Sequence, residues 1–282
     1  MIRLSDRVEA ALPAQSAVAG KKGTRRRRRL TINDIAVGAA IPIVFLVLWQ
    51  MLYETGRLDA NFFSSPTDIA SAIGELARSG ELFRDIGISL WRVVCGFAIG
   101  GTLGLIFGLL SGFSRRTEMM IDPLFQLLRM TPSLAIAPLF ILWFGFGETS
   151  KVLIIAVGAY FPIYVNTVLG IRNVDNKLVE VSQVLAYSRF SQIAKLIVPS
   201  SVPSILLGVR LSLAVAWLSV VVAEMINSKS GIGYLIYFGQ YNSRIDYIFV
   251  GIILFATAGK LVDSFVRYLE RRLLGWRDNF KG

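Results

Sequence analysis

The sequence predicts an all-α membrane protein with about six transmembrane helices. Of its 282 residues, 54% are hydrophobic and only 17% are charged, whereas a soluble domain carries about 25% charged residues. The hydrophobic residues also fall in long blocks, and a helix needs about 20 mostly apolar residues to cross the hydrocarbon core. These blocks are longer and more continuous than the alternating strands of about ten residues in a membrane β-barrel. The spans are therefore predicted to be helices.

The candidate spans follow one another along the chain with polar connections between them. The third contains Pro123, Pro132 and Pro138 and is expected to be broken, because proline interrupts a helix. Between the first two spans, residues 65–87 carry spaced apolar residues that predict short amphipathic helices on the membrane surface. The six predicted spans are residues 35–52, 88–113, 117–147, 152–171, 200–226 and 247–269.

The distribution of Lys and Arg predicts the orientation of these spans. With the N terminus in the cytoplasm, 19 basic residues fall on the cytoplasmic side and six on the other, so the positive-inside rule places both termini in the cytoplasm. Residues 1–30, with their basic run at 21–29, are expected to form a disordered tail that anchors the first span, and residues 31–282 the membrane domain. The long apolar block speaks against a secretory signal, and nucleic-acid binding has only the charge in its favour.

Five glycines recur at every fourth position of the second predicted span. Small residues at this spacing allow two helix backbones to approach closely. Two interpretations remain open, packing within this chain or packing against a moving neighbour, and both indicate a helix bundle. The five positions are Gly96, Gly100, Gly104, Gly108 and Gly112.

The sequence offers little for catalysis or metal binding. It contains no His and a single Cys, Cys95, in an apolar stretch, so zinc sites, disulfides and a Ser-His-Asp site are not expected. Residues 145–151 resemble a phosphate loop but lack its glycine spacing and the following Ser or Thr. We therefore expect a non-enzymatic protein without a metal or cofactor of its own. Energy for uphill transport would come from a partner or an ion gradient.

Six charged residues lie in or near the apolar blocks, where charge is costly and faces protein or water. Lys260 and Asp263 are three apart on one predicted helix and are expected to pair. Arg92 and Arg210 are expected to snorkel or to pair with acids. Arg129 lies near a proline break and could line a pathway for an anion. The six residues are Arg92, Arg129, Arg210, Glu224, Lys260 and Asp263.

The connection between the fourth and fifth predicted spans has the pattern of a helix, a turn and a second amphipathic helix that ends at Pro199, before Pro203 enters the next span. A polar hairpin on the cytoplasmic side is a suitable contact for a soluble motor domain. The segment resembles the coupling motif of bacterial ABC importer permeases, which reads E-A-A, three residues, G, nine residues, I-x-L-P. Glu180, Leu196, Val198 and Pro199 stand at the Glu, Ile, Leu and Pro of this motif, with every spacing kept.

Three positions depart from the motif. Val181 and Ser182 replace its two Ala residues, and Ala186 replaces its Gly. Because that Gly normally permits the turn, the turn here could be formed differently. The resemblance implies a coupling loop over residues 172–199, whose tip would contact an ATPase through Tyr187 and Phe190.

The resemblance extends from about Leu46 to Arg277 and includes the segments FPIYVNT, GIRN and AEMINSKSGIGYLI. It points to the nitrate, sulfonate and taurine branch of these importers, and in particular to the permease of aliphatic sulfonate importers. This implies a type I ABC importer permease fold, a homodimer, two ATPase subunits that bind ATP and Mg²⁺, and an outer substrate-binding protein. From the residues alone, an ion-coupled secondary transporter and a membrane scaffold protein remain alternatives, although no internal repeat favours the secondary transporter.

Overall fold

The computed structural model describes residues 32–273, so the predicted tail at residues 1–30 lies outside the described part. Within that part the chain is helical, with one π-helical turn and no strand. The helices are α1 (Ile32–Glu54), α2 (Pro66–Arg78), α3 (Glu81–Phe113), α4 (Arg115–Met130), α5 (Ser133–Phe144), α6 (Glu148–Arg172), α7 (Asn176–Val184), α8 (Arg189–Gln192), α9 (Val198–Asn227), α10 (Ile232–Tyr241) and α11 (Ile245–Leu273).

Four helical segments of the described chain are long and apolar enough to cross a membrane: Glu81–Phe113, Glu148–Arg172, Arg189–Ile226 and Ile245–Glu270. Two shorter apolar helices, Ala40–Glu54 and Ala135–Phe144, lie in the first and third predicted spans. The prediction of an all-α membrane protein is confirmed, and each of the six predicted blocks contains an apolar helix. The chain divides into two compact units between Leu48 and Trp49, and α2 to α11 all belong to the second.

The segment before the second span differs from the prediction of several short surface helices. It forms one such helix, α2, capped by Ser65, whose hydroxyl accepts a hydrogen bond from the Asp68 N–H. The following residues, among them Leu82 and Phe83, already belong to α3. Charged residues in the first turns of α3 lower the hydropathy there, so the start of this helix was not included in the predicted span. The backbone is nevertheless continuously helical.

The third predicted span is broken once. The chain leaves the helical conformation at Thr131 and Pro132, whereas Pro123 and Pro138 lie inside α4 and α5. The residue before a proline is disfavoured in the helical region, and of the three prolines only Pro132 coincides with a break in the helix. The result is a pair of short helices in place of one long span.

The glycine stripe of α3 packs against α6. A Cβ on Gly104 would lie 2.5 Å from the carbonyl oxygen of Tyr160, and one on Gly100 would collide with the backbone of Ala156. Gly96, Gly108 and Gly112 face Ile155, Thr167 and Ile171 of the same helix in the same way. The two helices are close together from Gly96 to Gly112, and backbone meets backbone at Gly100 and Gly104, an approach that a larger side chain would prevent.

The second unit is built around α6, and two of the four buried apolar clusters of the described residues determine how its helices are arranged. In the first, Ile155 and Ala159 of α6 pack with Val93 of α3 and with Ala216 and Trp217 of α9. In the second, α2 is fixed to α10 and α11 by a separate set of buried residues, which includes Ile69, Leu76, Leu235, Tyr247 and Val250. The α3, α6 and α9 helices therefore form one packed block, with α2, α10 and α11 attached at one end.

We expect Gly104→Leu to impair folding, because the leucine cannot be accommodated unless α3 and α6 move apart. Overpacking of this kind costs about 1–3 kcal/mol. The matched control is Gly87→Leu on the same helix, where a Cβ meets nothing within 4 Å. The measurement is the temperature at which half of the detergent-solubilised protein aggregates. Equal temperatures for the two variants would contradict the packing described here.

Candidate functional sites: a helical hairpin and a buried charge cluster

Residues 175–197 form a helical hairpin in which both helices are capped by polar side chains. The Asp175 carboxylate accepts a hydrogen bond from the Lys177 N–H at the start of α7. The Ser188 hydroxyl accepts one from the Ser191 N–H at the start of α8. Asp and Ser are among the preferred residues at this position. These caps set where each helix of the hairpin begins.

The turn of the hairpin is a Schellman motif with alanine in the place of glycine. The Ala186 N–H donates to the Gln183 carbonyl at 2.9 Å, and the Tyr187 N–H donates to the Ser182 carbonyl at 3.0 Å. These are the two bonds that define the motif. Ala186 has φ +54°, the left-handed conformation that normally favours glycine. The turn is therefore formed as the motif's glycine would form it, and the expectation of a different turn is wrong.

The second helix of the hairpin does not end at Pro199 as predicted. It continues from α8 through a π turn at Ile193–Ile197 into α9, which includes Pro199 and Pro203. In a regular helix a proline ring collides with the carbonyl four residues earlier, and the wider π turn, in which the Val198 N–H bonds to the Ile193 carbonyl, accommodates Pro199. The hairpin is consequently continuous with the membrane-spanning helix α9.

Ser182, at an alanine position of the motif, links the two arms of the hairpin. Its buried hydroxyl donates to the Val179 carbonyl at 2.6 Å and accepts from the Gln192 side-chain amide at 2.8 Å. Leu196 and Val198, which match the apolar end of the motif, are half-buried, and Glu180 at its start is exposed. The hydroxyl group that Ser182 brings to this alanine position thus has hydrogen-bond partners within the hairpin.

The tip of the hairpin presents apolar side chains to the exterior. Val184 and Phe190 are 86% and 81% exposed, and the neighbouring Leu185 and Tyr187 are exposed as well. The ring of Tyr187 has the Lys195 ammonium 5.9 Å from its centre. Together with Val181 on α7, these residues form a patch that nothing in the described chain covers, and exposed apolar patches mark contacts with other proteins or with membrane.

A buried charge cluster joins α3, α6 and α9. The Arg92 guanidinium donates two hydrogen bonds of 2.7 Å to Glu148, through Nε and Nη2, and one of 2.8 Å through Nη1 to Glu224. Lys151 donates to Glu148 at 2.8 Å. Arg92, Glu224 and Lys151 are buried, whereas the Glu148 side chain is 61% exposed. The set contains two cations and two anions, so it is neutral as a whole.

The cluster also holds the loop between α9 and α10. Arg92 Nη1 donates to the Ser230 carbonyl at 2.8 Å, and Glu224 accepts from the Gly233 N–H at 2.8 Å. Ser89 donates to Glu224 and accepts from the Ile232 N–H. Gly231 has φ +112°, and a Cβ there would collide with the Glu224 carboxylate. The positive φ and the lack of space for a Cβ both require glycine at this position. The loop between α9 and α10 therefore packs directly against the Glu224 carboxylate.

The remaining intramembrane charges pair differently from the prediction. Asp263 is bound by Arg210 at 3.3 Å and by Arg267 at 2.7 Å, in place of the predicted partner Lys260. Arg267, four residues after Asp263, lies on the same helix face as Lys260, three residues before it. The planar guanidinium of arginine binds a carboxylate through two donors, which an ammonium group cannot do in the same geometry. Arg210 also approaches Glu270 at 3.7 Å. Of the two alternatives expected for Arg92 and Arg210, snorkelling or pairing with acids, the contacts show pairing.

The side chain of Arg129 lies outside the described residues. Its neighbour Thr131 lines a cleft of about 470 Å³ between the end of α4 and the helices α6 and α9. The walls of this cleft are mostly apolar. Among the described residues that line it, Thr131 and Asn166 are those with a polar side chain. The segment that carries Arg129 therefore borders an open space beside the packed block.

Sequence reasoning missed the charge cluster as a unit. It identified Arg92 and Glu224 singly, but it treated Glu148 and Lys151 only as parts of a failed phosphate loop, and it did not consider Ser89. One available signal was the spacing of Glu148 and Lys151, which lie three residues apart at the start of a helix and so share one face. The contact of Glu148 with Arg92, 56 residues earlier in the sequence, leaves no local pattern.

Comparison with known proteins identifies the family. Residues 100–275 match the model of the family described as the binding-protein-dependent transport system inner membrane component. The chain belongs to this family. The match covers α3 from Gly100 onward, the helices α6 and α9, the hairpin and the loop held by the charge cluster, so the permease assignment suggested by the coupling motif is confirmed.

Curated relatives extend the match over nearly the whole chain. A protein of Bacillus subtilis named as an aliphatic sulfonates transport permease is 48% identical over 98% of this permease and 99% of its own length. A protein of Escherichia coli with the same description is 43% identical over 84% and 90%. A bicarbonate transport system permease of Synechococcus elongatus is 31% identical over 88% and 93%.

Solved structures confirm the type I importer permease fold. A chain of an amino acid ABC transporter with histidines superposes with a TM-score of 0.56 at 19% identity, covering 71% of this permease and 97% of that chain. A chain of an inward-facing MetNI methionine ABC transporter gives 0.50 at 16% identity, covering 73% and 99%. At these identities the likeness concerns the fold alone.

We expect Glu224→Ala to destabilise the permease strongly. The substitution leaves Arg92 without its buried counter-ion and Ser89 and Gly233 without their acceptor, and breaking a buried pair costs about 3–5 kcal/mol. The matched control is Glu148→Ala, which removes the partner of Lys151 and one partner of Arg92 but should cost less, because Glu148 is 61% exposed and water can take its place. Thermal aggregation of the two solubilised variants measures the difference. If Glu148→Ala is the more damaging, the cluster does not depend on its buried carboxylate.

Proposed function

We propose that this permease forms the translocation pathway for a small anionic solute, in particular an aliphatic sulfonate. The observation that carries the substrate class is the 48% identity over 98% of the chain to the Bacillus subtilis protein named for aliphatic sulfonates. The match to a bicarbonate permease at 31% supports a small anion more broadly. Arg129, whose segment borders the cleft beside α6, is proposed as a cation along the path.

The hairpin is proposed as the contact with the ATPase subunit. Its exposed tip at Val184, Leu185 and Phe190 supports this role, since apolar anchors filling a partner's pocket contribute much of the energy of a protein interface. The hairpin joins α6 at one end and α9 at the other, so a displacement of its tip reaches both helices of the packed block. A ligand-driven change requires such differential contact with the moving partner.

The complete importer is proposed to contain two copies of this permease, two ATPase subunits and an outer substrate-binding protein. ATP and Mg²⁺ would be bound by the ATPase, and this chain would carry out no catalysis. It would lie in the cytoplasmic membrane with both termini and the hairpin in the cytoplasm. The excess of basic residues on that side supports this orientation.

The direct test is uptake by proteoliposomes that contain the permease, its ATPase and its binding protein. Uptake of ¹⁴C-ethanesulfonate that needs internal ATP would support the proposal. Uptake of nitrate or bicarbonate in its place would replace the substrate and leave the transport role intact. Exchange driven by an ion gradient without ATP would contradict the proposal.

We expect Ala186→Asp to abolish docking of the ATPase without disturbing the membrane domain. Asp tolerates the left-handed conformation at this position, so the turn is kept, but an unpaired charge enters a desolvated contact at a cost of about a few kcal/mol. The measurements are membrane level, ATPase copurification and ATP-driven uptake. Ala186→Asn, which has the same shape without the charge, is the control and should retain most uptake. Full uptake by the Asp variant would disprove the docking role.

We expect Ser188 to be reached only from the cytoplasm and Lys229 only from outside. Both side chains are exposed in the structure. In a Cys95→Ser background, Ser188→Cys and Lys229→Cys are each labelled in intact cells with a maleimide that does not cross membranes. The Lys229→Cys variant should be labelled, and the Ser188→Cys variant should be labelled only after the cells are opened. The reverse pattern would invert the proposed topology.

A further inference from the structure

The residues of the charge cluster differ in their exposure to solvent. Its two cations are buried, Arg92 at 2% exposure and the Lys151 side chain at 6%, yet the acid that they share is 61% exposed. In the described part of the chain, Glu148 is the only acid within 4 Å of the Lys151 ammonium. Lys151 is thus neutralised from the exposed side, by a carboxylate that has open space on its other side. Among the described residues, this carboxylate is held by hydrogen bonds to Arg92 and Lys151 alone.

We propose that Glu148 occupies a binding site for a monoanion, and that the transported anion displaces it at the outer end of the pathway. This inference rests on the proposed function for its orientation and substrate class. The Glu148 carboxylate already shows how an anion would be held, with a forked pair of hydrogen bonds from Arg92 and a third from Lys151. A sulfonate offers three oxygens for the same three donors, and arginine binds both planar carboxylates and tetrahedral phosphates through two parallel hydrogen bonds of this kind.

The charge of the site fits a monoanion. With Glu148 in place the cluster is neutral, and when its carboxylate swings into water one positive charge remains. Glu224 stays on the opposite side of Arg92, bonded through Nη1, so the guanidinium keeps its position and offers Nε and Nη2. The buried Asp85 on the same helix has its own counter-ion in Arg84, 3.4 Å away.

The position of the site in the fold adds a second attraction for anions. Glu148 is the first residue of α6, and the partial positive charge of a helix N terminus favours an anion there. In the proposed topology this end of α6 faces outward, where a substrate leaves its binding protein. The site therefore lies at the entrance, with the packed block of α3, α6 and α9 behind it.

The test measures anion binding to the purified permease–ATPase complex without the binding protein. The probe is ¹⁴C-ethanesulfonate in equilibrium dialysis, in a low-salt buffer that contains no small carboxylate or other sulfonate. Glu148→Ala should bind the probe about tenfold more tightly than the wild type, the effect of about 1.4 kcal/mol. Glu148→Gln, which keeps the length of the side chain and removes its charge, should change the affinity in the same direction.

The second half of the test removes one of the donors. Adding Lys151→Met to Glu148→Ala should return the affinity to the wild-type value or below it. The matched control is Glu118→Ala, which frees Arg172 from an ion pair of 2.6 Å on the far end of α6 and should leave the affinity unchanged. Thermal aggregation temperatures establish that each variant is folded.

Two results would overturn the proposal. One is an affinity that neither Glu148 variant raises, and the other is a raised affinity that survives Lys151→Met. A third case is that the site exists but the substrate is not a sulfonate. Ethanesulfonate would then be neither bound nor taken up, whereas nitrate would bind more tightly to the Glu148 variants and lose this gain with Lys151→Met. Uptake of ethanesulfonate by the wild type without any gain in Glu148→Ala would leave the proposed function intact and disprove this site.

Discussion

Direct contact between the backbones of α3 and α6 sets the distances on which the rest of the permease depends. Because Gly100 and Gly104 have no side chain between the helices, residues on the flanking positions of α3 come within hydrogen-bond distance of α6 and α9. Arg92 is one of these, and a long side chain in a buried position can reach two acids only when the helices are this close. The glycine stripe and the charge cluster are therefore two parts of one arrangement, in which tight packing excludes water from the Arg92–Glu224 pair and strengthens it.

The hairpin extends this block beyond the membrane domain. One of its arms follows α6 after a short connection, and the other passes into α9 without interruption because the π turn accommodates Pro199. A helix that is continuous across a boundary transmits displacement along its axis more directly than a flexible linker would. The Schellman turn at Ala186 and the bond between Ser182 and Gln192 fix the two arms to each other, so the hairpin moves as one piece.

The fold class and the positions of the spans followed from the sequence because burial in lipid leaves a local, additive signal in hydropathy. Helix ends did not, since the start of α3 carries the charges Glu81, Arg84 and Asp85, which lower the hydropathy there although the residues are helical. The two arms of the hairpin were predicted. Its continuity with α9 was not, because it depends on a π turn and no amino-acid pattern marks such a turn. The acid partners of Arg92 could not be predicted, because pairing across helices depends on which faces meet in three dimensions.

The order of the helices along the chain has a consequence for biosynthesis. Arg92 is synthesised 56 residues before Glu148 and 132 residues before Glu224. At about 5–20 residues per second, the guanidinium waits roughly 7 to 26 s for its buried partner. During this interval α3 is already long enough to insert, so the nascent chain carries an uncompensated charge in its first half. Its place only three turns from the start of α3 lets the side chain reach interfacial water until the later helices arrive.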